Sequence, residues 1–197
     1  FFNQKLDKQV LKYFKLKSKK RPNLAPWKKI TKITLNTKKM INIAIIGKYV
    51  NLKDAYKSLD EALIHGGIYN KVKVNLIRIE SDKLKVNQIR KKLKNVSGLL
   101  IPGGFGKRGT EGKISAIKFA RENKIPFLGI CFGMQMAIIE FARNKLKIKK
   151  AGSSELDKNC YPVIGLINEW DKNGKIIKGT DKNLGGTMRL GLYEAKL

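Results

Sequence analysis

From position 41 onward, short apolar runs alternate with stretches whose apolar residues recur at helical spacing. Ile41 to Ile46 is a largely apolar run closed by Gly47, and it predicts a buried strand. Lys53 to His65 predicts a helix that starts near Asp54, whose carboxylate can cap free N–H groups, and that is stopped by Gly66-Gly67. Lys73 to Glu80, with Val74, Leu76, Ile77 and Ile79, predicts a second strand, and Leu84 to Leu93 a basic helix. Gly98 to Ile101 predicts a third strand, ended by Pro102-Gly103-Gly104-Phe105-Gly106. Thr110 to Asn123 predicts a helix with Ile114, Ile117, Phe119 and Ala120 inward. Phe127 to Ile130 follows Pro126 as a fourth strand. Met134 to Asn144 then predicts a helix with Met134, Ala137, Ile138, Phe141 and Ala142 at apolar spacing. Four strand–helix pairs in succession predict an α/β fold: a mostly parallel sheet with helices on both faces. In such sheets active groups gather at the carboxyl ends of the strands.

The flanks read differently. Residues 1 to about 20 predict an amphipathic helix with Leu6, Val10, Leu11 and Phe14 on one face. Arg21 to Pro26, with two prolines, breaks it, and Trp27 to Leu35 predicts a short helical turn. Asn36 to Lys39 is polar and reads as a linker. This opening piece of 40 residues has no core of its own, which sets residues 1–40 apart from residues 41–197. Past Lys150 the pattern is that of turns and antiparallel strands. Val163 to Trp170 and Lys175 to Lys178 flank an Asn173-Gly174 pair, a hairpin signal. A glycine-rich segment, Gly185 to Gly191, leads into a last strand.

Composition narrows the class. Apolar content of 42% is that of a globular protein, and no apolar run approaches a membrane span. No secretory leader is expected, and two cysteines make no disulfide framework, so a cytoplasmic setting is expected. The net charge of +28 invites a nucleic-acid reading. Yet the basic residues are mostly Lys spread over the whole chain, as an AT-rich coding sequence would give. Arg, the residue best suited to base edges, is scarce. Non-specific adhesion to polyanions is expected whatever the function.

The candidate chemistry sits between the fourth strand and its helix. Cys131 is flanked by Gly129 and Gly133 at a strand-to-helix turn, the pattern of a nucleophile elbow. The turn is too tight for side chains at its flanks, and the helix N-terminus favours a thiolate. The plainer alternative is an inert cysteine in a βα turn. A thiolate attacking an amide makes a tetrahedral oxyanion, which needs donors already in place. The Pro102-to-Gly106 loop offers one N–H and Phe132 another; as alternatives, the loop is a tight turn or a phosphate cradle, though no Walker Lys-Ser/Thr follows it. The general base is missing from the pattern. The single histidine, His65, lies far upstream and reads as a helix C-terminal residue, and none follows Cys131. Cys160 lies in a polar turn without flanking glycines and reads as incidental.

Gly129-Ile-Cys131-Phe-Gly133-Met-Gln135, after Pro102-Gly-Gly104-Phe-Gly106, resembles the class I glutamine amidotransferases, which have a flavodoxin-like sheet. Within them the chain resembles the glutaminase region of the CTP synthases. The marks are Gly47-Lys-Tyr49, Asp54-Ala-Tyr56-Lys-Ser58, Glu61-Ala-Leu63, His65-Gly-Gly67, Glu111-Gly-Lys113, Arg121-Glu-Asn123 and Gly185-Gly-Thr-Met-Arg-Leu-Gly191. The resemblance implies that Cys131 forms a glutamyl thioester and that Gly104 and Phe132 furnish the oxyanion N–H groups. It implies a glutamine pocket lined by Gly104, Phe132, Gly133, Met134 and Gln135, with Glu155 meeting the α-amino group. From sequence alone Glu155 is only an exposed acid in a loop. Lys178 to Arg189 resembles a lid that responds to GTP. Phe132 stands where the family usually has Leu, and Lys107 where an aromatic is common.

The resemblance also implies an internal fragment of a longer enzyme. Residues 1–40 would be the end of a synthetase domain and the interdomain linker, and residues 41–197 an amidotransferase domain incomplete at its C-terminus. The family's His-x-Glu pair, and the Arg that holds the glutamine carboxylate, would lie beyond Leu197. ATP, Mg²⁺ and UTP would bind the synthetase domain, with GTP as activator; no cofactor or metal is expected on residues 1–197 themselves. The expected partners are L-glutamine, the synthetase domain of the same polypeptide and, for the full-length protein, three further copies in a homotetramer; no membrane and no nucleic acid are expected. Such a fragment alone is expected not to turn over glutamine. Two other readings stand beside this one: a glutaminase subunit of another synthase, and a basic nucleic-acid-binding α/β protein.

Overall fold

A computed structural model of the chain describes residues 3–18, 22–50, 52, 54–165, 169–172 and 175–178. Four strands, β1 (Met40–Gly47), β2 (Lys73–Glu80), β3 (Gly98–Ile101) and β4 (Phe127–Gly129), form one parallel sheet in the order β2-β1-β3-β4. Between them run α3 (Lys57–Tyr69), α4 (Val86–Leu93) and α5 (Thr110–Glu122); α6 (Phe132–Asn144) follows β4. Every strand that the sequence predicts for this sheet is present. The parallel sheet needs these crossover helices, because parallel neighbours cannot be joined by a tight turn.

Alternate strand positions point to opposite faces. Ala44, Ile46, Leu99 and Ile101 pack with Ile89 and Leu93 of α4, Ile114, Ile117 and Ala120 of α5, and Met136 and Ile139 of α6. Ile45 and Leu100 alternate with them and are also buried. On that second face lies α3. Its Asp60 pairs with Arg78 of β2. Gly67 presses so closely on β2 that a Cβ there would meet Val74 Cγ2 at 2.6 Å and Val72 O at 2.8 Å.

This contact corrects the expected end of α3. The helix runs through Gly66-Gly67 to Tyr69 and does not stop at the glycine pair. Gly67 is needed for close approach to the sheet, and its neighbours leave its φ helical. The start also differs. Tyr56 is the N-cap, no side chain caps the helix, and Asp54 contributes only its carbonyl, to the N–H of Lys57.

A second correction concerns α6. Its buried side is Phe132, Gly133, Met136, Ile139, Glu140 and Ala142. Met134, Ile138 and Phe141, expected inward, are exposed. The helix is apolar nearly all round, so spacing alone does not choose its inner face.

Before the sheet, α1 (Leu6–Tyr13) and α2 (Ala25–Asn36) contain no buried residue. The first is shorter than expected and the second longer, with Pro26 in its first turn, where a missing N–H costs nothing. After α6, β5 (Ala151–Ser153) and β6 (Tyr161–Ile164) pair in parallel, where antiparallel strands were expected. Both strands are very short, and nothing in so few residues encodes direction. β7 (Glu169–Lys172) and β8 (Lys175–Lys178) are antiparallel, as the hairpin signal predicts, but the strand expected over Val163 to Trp170 is not continuous: β6 ends at Ile164, and β7 takes in Asp171 and Lys172, which pair with Ile176 and Lys175. The Asn173-Gly174 pair, the Gly185-to-Gly191 segment and every residue after Lys178 of the stretch expected to respond to GTP lie outside the described residues.

Candidate active site

The C-terminal ends of β1, β3 and β4 stand side by side in the sheet, and three loops leave from them. The loop from β4 is the elbow. Cys131 is the N-cap of α6, with φ 52° and ψ −106°. A side chain at such a dihedral pair is strained, and strain of this kind clusters at functional sites. Surrounding bonds hold it there. Ile130 N–H donates to Ile101 O (3.0 Å), Gly133 N–H to Ile130 O (2.9 Å) and Gln135 N–H to Cys131 O (3.2 Å). The flanking glycines are required by space: a Cβ on Gly133 would lie 2.1 Å from Ile101 O, and one on Gly129 2.6 Å from Gly133 C. Cys131 itself is exposed.

The loop from β3, Pro102 to Gly106, lies against the elbow. A Cβ on Gly103 would be 3.6 Å from Cys131 Cβ, whereas one on Gly104 would have nothing within 4 Å. Gly104 therefore borders open space in the loop beside Cys131. Among the described residues, neither the N–H of Gly104 nor that of Phe132 is engaged in a hydrogen bond. Backbone N–H groups without a partner thus lie on the residue that follows Cys131 and in the loop that packs against it.

Of the other residues expected at the site, Phe132 is buried and Gln135 half-buried, while Met134 is exposed. Gly133 packs on the backbone of β3, which gives it a structural duty. Glu155 is exposed in the turn after β5 and, among the described residues, makes no hydrogen bond or ion pair with the elbow. His65 is exposed in the middle of α3, not at its end, and lies on the opposite side of β2 from the elbow helix. Cys160 packs against Gly152, whose added Cβ would meet its Sγ at 2.9 Å.

Sequence reasoning missed two lysines here. Lys48, in the loop from β1, donates to Phe105 O and to Gly106 O, the latter at 3.1 Å. Lys113, on α5, is 1% exposed and places its Nζ 4.8 Å from the centre of the Phe132 ring. Burial pushes its ammonium down to about 8, with the charge of Lys48 adding to the effect and Asp82 opposing it. The signal available for both was their place in short marks, Gly47-Lys-Tyr49 and Glu111-Gly-Lys113, beside glycines.

Residues 51–197 match the model of the class-I glutamine amidotransferase family. The chain belongs to that family. Among relatives of this amidotransferase, the CTP synthase of Pelagibacter ubique (strain HTCC1062) is 77% identical over 197 residues, which are 100% of this chain and 37% of the relative. The CTP synthase of Gluconobacter oxydans (strain 621H) is 48% identical over 199 residues, again 100% of this chain and 37% of the relative. The chain thus spans little more than a third of the length of the curated relatives it matches. Among solved structures, the glutaminase domain of Trypanosoma brucei CTPS with bound acivicin superposes with a TM-score of 0.61 at 34% identity. That match covers 65% of this chain and 50% of the other. It agrees with the α/β fold and its mostly parallel sheet.

Proposed function

We propose that this chain is the nucleophile-bearing part of the glutaminase domain of a CTP synthase. In this reading the full-length enzyme hydrolyses glutamine through a Cys131 thioester and delivers ammonia for the ATP-dependent amination of UTP to CTP. The observation that carries it is Cys131 held at φ 52° at the head of α6, beside the open edge of Gly104. The likeness of the chain over its full length to CTP synthases favours that synthase over other amidotransferases.

The sulfur of Cys131 attacks the amide carbon of glutamine, and the carbonyl oxygen becomes an oxyanion. The N–H groups of Gly104 and Phe132 receive it. The C–N bond breaks, ammonia leaves with the proton taken from the thiol, and a glutamyl thioester stays on Cys131. Water then hydrolyses the thioester. A general base held by a third group is needed, and it is supplied from outside the described residues. Gln135 and Glu155 complete the glutamine pocket, Glu155 by pairing with the α-amino group. Residues 1–40 form the end of the synthetase domain and its linker, and residues 41–197 belong to the amidotransferase domain. ATP, Mg²⁺ and UTP bind the synthetase domain, GTP activates, the full-length enzyme is a cytoplasmic homotetramer, and the 197-residue chain alone does not sustain turnover. Among the described residues no helix is long and apolar enough to cross a membrane.

The test is nitrogen source. In the full-length protein, Cys131→Ala is expected to abolish CTP formation from glutamine and to leave CTP formation from added ammonia. Loss of both, or of neither, contradicts the reading.

A further inference from the structure

We propose that Lys48 is a positioning residue that latches the Pro102-to-Gly106 loop in the orientation that serves the Cys131 chemistry. This rests on the proposed glutaminase reading and adds a residue to its machinery.

The latch follows from the sheet order. β1 and β3 are neighbours, so the loop that leaves the end of β1 lies beside the loop that leaves the end of β3. Lys48 is the first residue after β1. Its backbone is fixed from below: Gly47 is packed so tightly on Tyr56 that a Cβ would lie 2.5 Å from the Tyr56 hydroxyl. From this anchor the side chain crosses to the glycine loop. There its ammonium is shared by two successive carbonyls, Phe105 O and Gly106 O.

Two successive carbonyls on one cation fix two peptide planes. Those planes are the peptides that follow Phe105 and Gly106; only the 104–105 peptide separates them from Gly104, so fixing them narrows the paths by which Gly104 can rotate. The loop needs that restraint, because Gly103, Gly104 and Gly106 supply no side chains to hold it, and Gly106 takes φ 74°, a conformation open chiefly to glycine. A freely rotating loop would present a carbonyl as readily as an N–H to the developing oxyanion. Preorganised donors are what lower the barrier. Lys48 has no role in taking or giving a proton here; its charge is directed to carbonyl oxygens, and it acts through Gly104.

The substitutions are Lys48→Met, which keeps the apolar stem and removes the donors, and Lys48→Arg, which keeps them. Both are made in the full-length protein. Lys48→Met is expected to lower kcat for glutamine hydrolysis by about 10- to 100-fold, less than outright removal of a donor costs. KM for glutamine is expected to stay within about twofold, since the loss falls on the transition state. Lys48→Arg is expected to restore most of kcat. Alkylation of Cys131 by iodoacetamide proceeds by displacement and forms no oxyanion, so its rate is expected to be unchanged in Lys48→Met. An unchanged kcat overturns the latch, and so does alkylation that slows in step with kcat. If the unmodified protein hydrolyses no glutamine, the proposed function falls; the latch is then read from the backbone order of the loop by NMR relaxation. Lower order parameters at residues 103–106 in Lys48→Met support it, and unchanged ones overturn it.

Discussion

At the scale of single residues, the glycines around Cys131 divide into two kinds. Gly129 and Gly133 are fixed by packing, since an added methyl would meet backbone that cannot move aside. Gly104 faces open space. Gly133→Ala is therefore expected to destabilise the fold by about 2–3 kcal/mol, as overpacking does. Gly104→Ala is expected to stay within about 0.5 kcal/mol of the parent. Chemical denaturation of the two variants measures this, and equal losses would contradict the division. Lys113 gives a pH-dependent case. A lysine whose pKa falls to about 8 on folding releases its proton more readily in the folded chain than in the unfolded one. Below pH 8 both forms carry the proton, and the folded form bears the full cost of the buried charge. Between pH 8 and the ordinary lysine value of 10.5 the unfolded form holds more protons, so stability from this group rises with pH. Lys113→Met is expected to raise the Tm at pH 7 and to lose that advantage by about pH 10, as the buried amine loses its charge. A pH-independent difference would contradict the assignment.

At the scale of elements, α5 and α6 are tied by a bidentate pair. Arg121 Nη2 donates to Glu140 Oε1 at 2.8 Å, and Arg121 Nε to Oε2 at 3.0 Å. The Glu140 side chain is 1% exposed and that of Arg121 28%. The bond to Glu140 raises the Arg121 pKa further above its ordinary value. Arg121→Met strands a buried carboxylate and is expected to cost about 3 kcal/mol; Arg121→Met with Glu140→Leu is expected to recover most of it. Equal losses in the single and double variants would show that the pair does not couple the helices. The elements themselves were legible in the sequence wherever burial imposes a period. β2 and β3 begin and end where their apolar patterns do. Faces and ends were less legible. α6 has apolar residues on every side, so Met134, Ile138 and Phe141 matched the helical period as well as Met136 and Ile139 did. Gly66-Gly67 resembled a stop signal because a glycine that permits close packing and one that ends a helix are written alike.

At the scale of the whole molecule, the +28 charge is carried largely by lysines, which among the described residues are mostly exposed. Retention on immobilised heparin is expected to vanish at moderate salt, with no preference among nucleic-acid sequences. Sequence-selective binding that survives such salt would favour the nucleic-acid reading. The elbow was legible for a reason that also belongs to this scale. A parallel sheet aims its strand ends at one edge, so a cysteine between two glycines after a predicted strand is placed at that edge by sequence alone. The Lys48 contacts were not legible, because they join loops 57 and 58 positions apart whose adjacency depends on strand order.

The central claim is covalent: glutamine carbon becomes bonded to Cys131 sulfur. The most direct measurement is acid-quenching of the full-length protein during turnover, followed by mass spectrometry of its peptides. The expected result is a glutamyl adduct on the peptide bearing Cys131, labile to hydroxylamine and absent from Cys131→Ser. Steady glutamine turnover with no adduct on Cys131, or with turnover surviving in Cys131→Ala, would contradict the account.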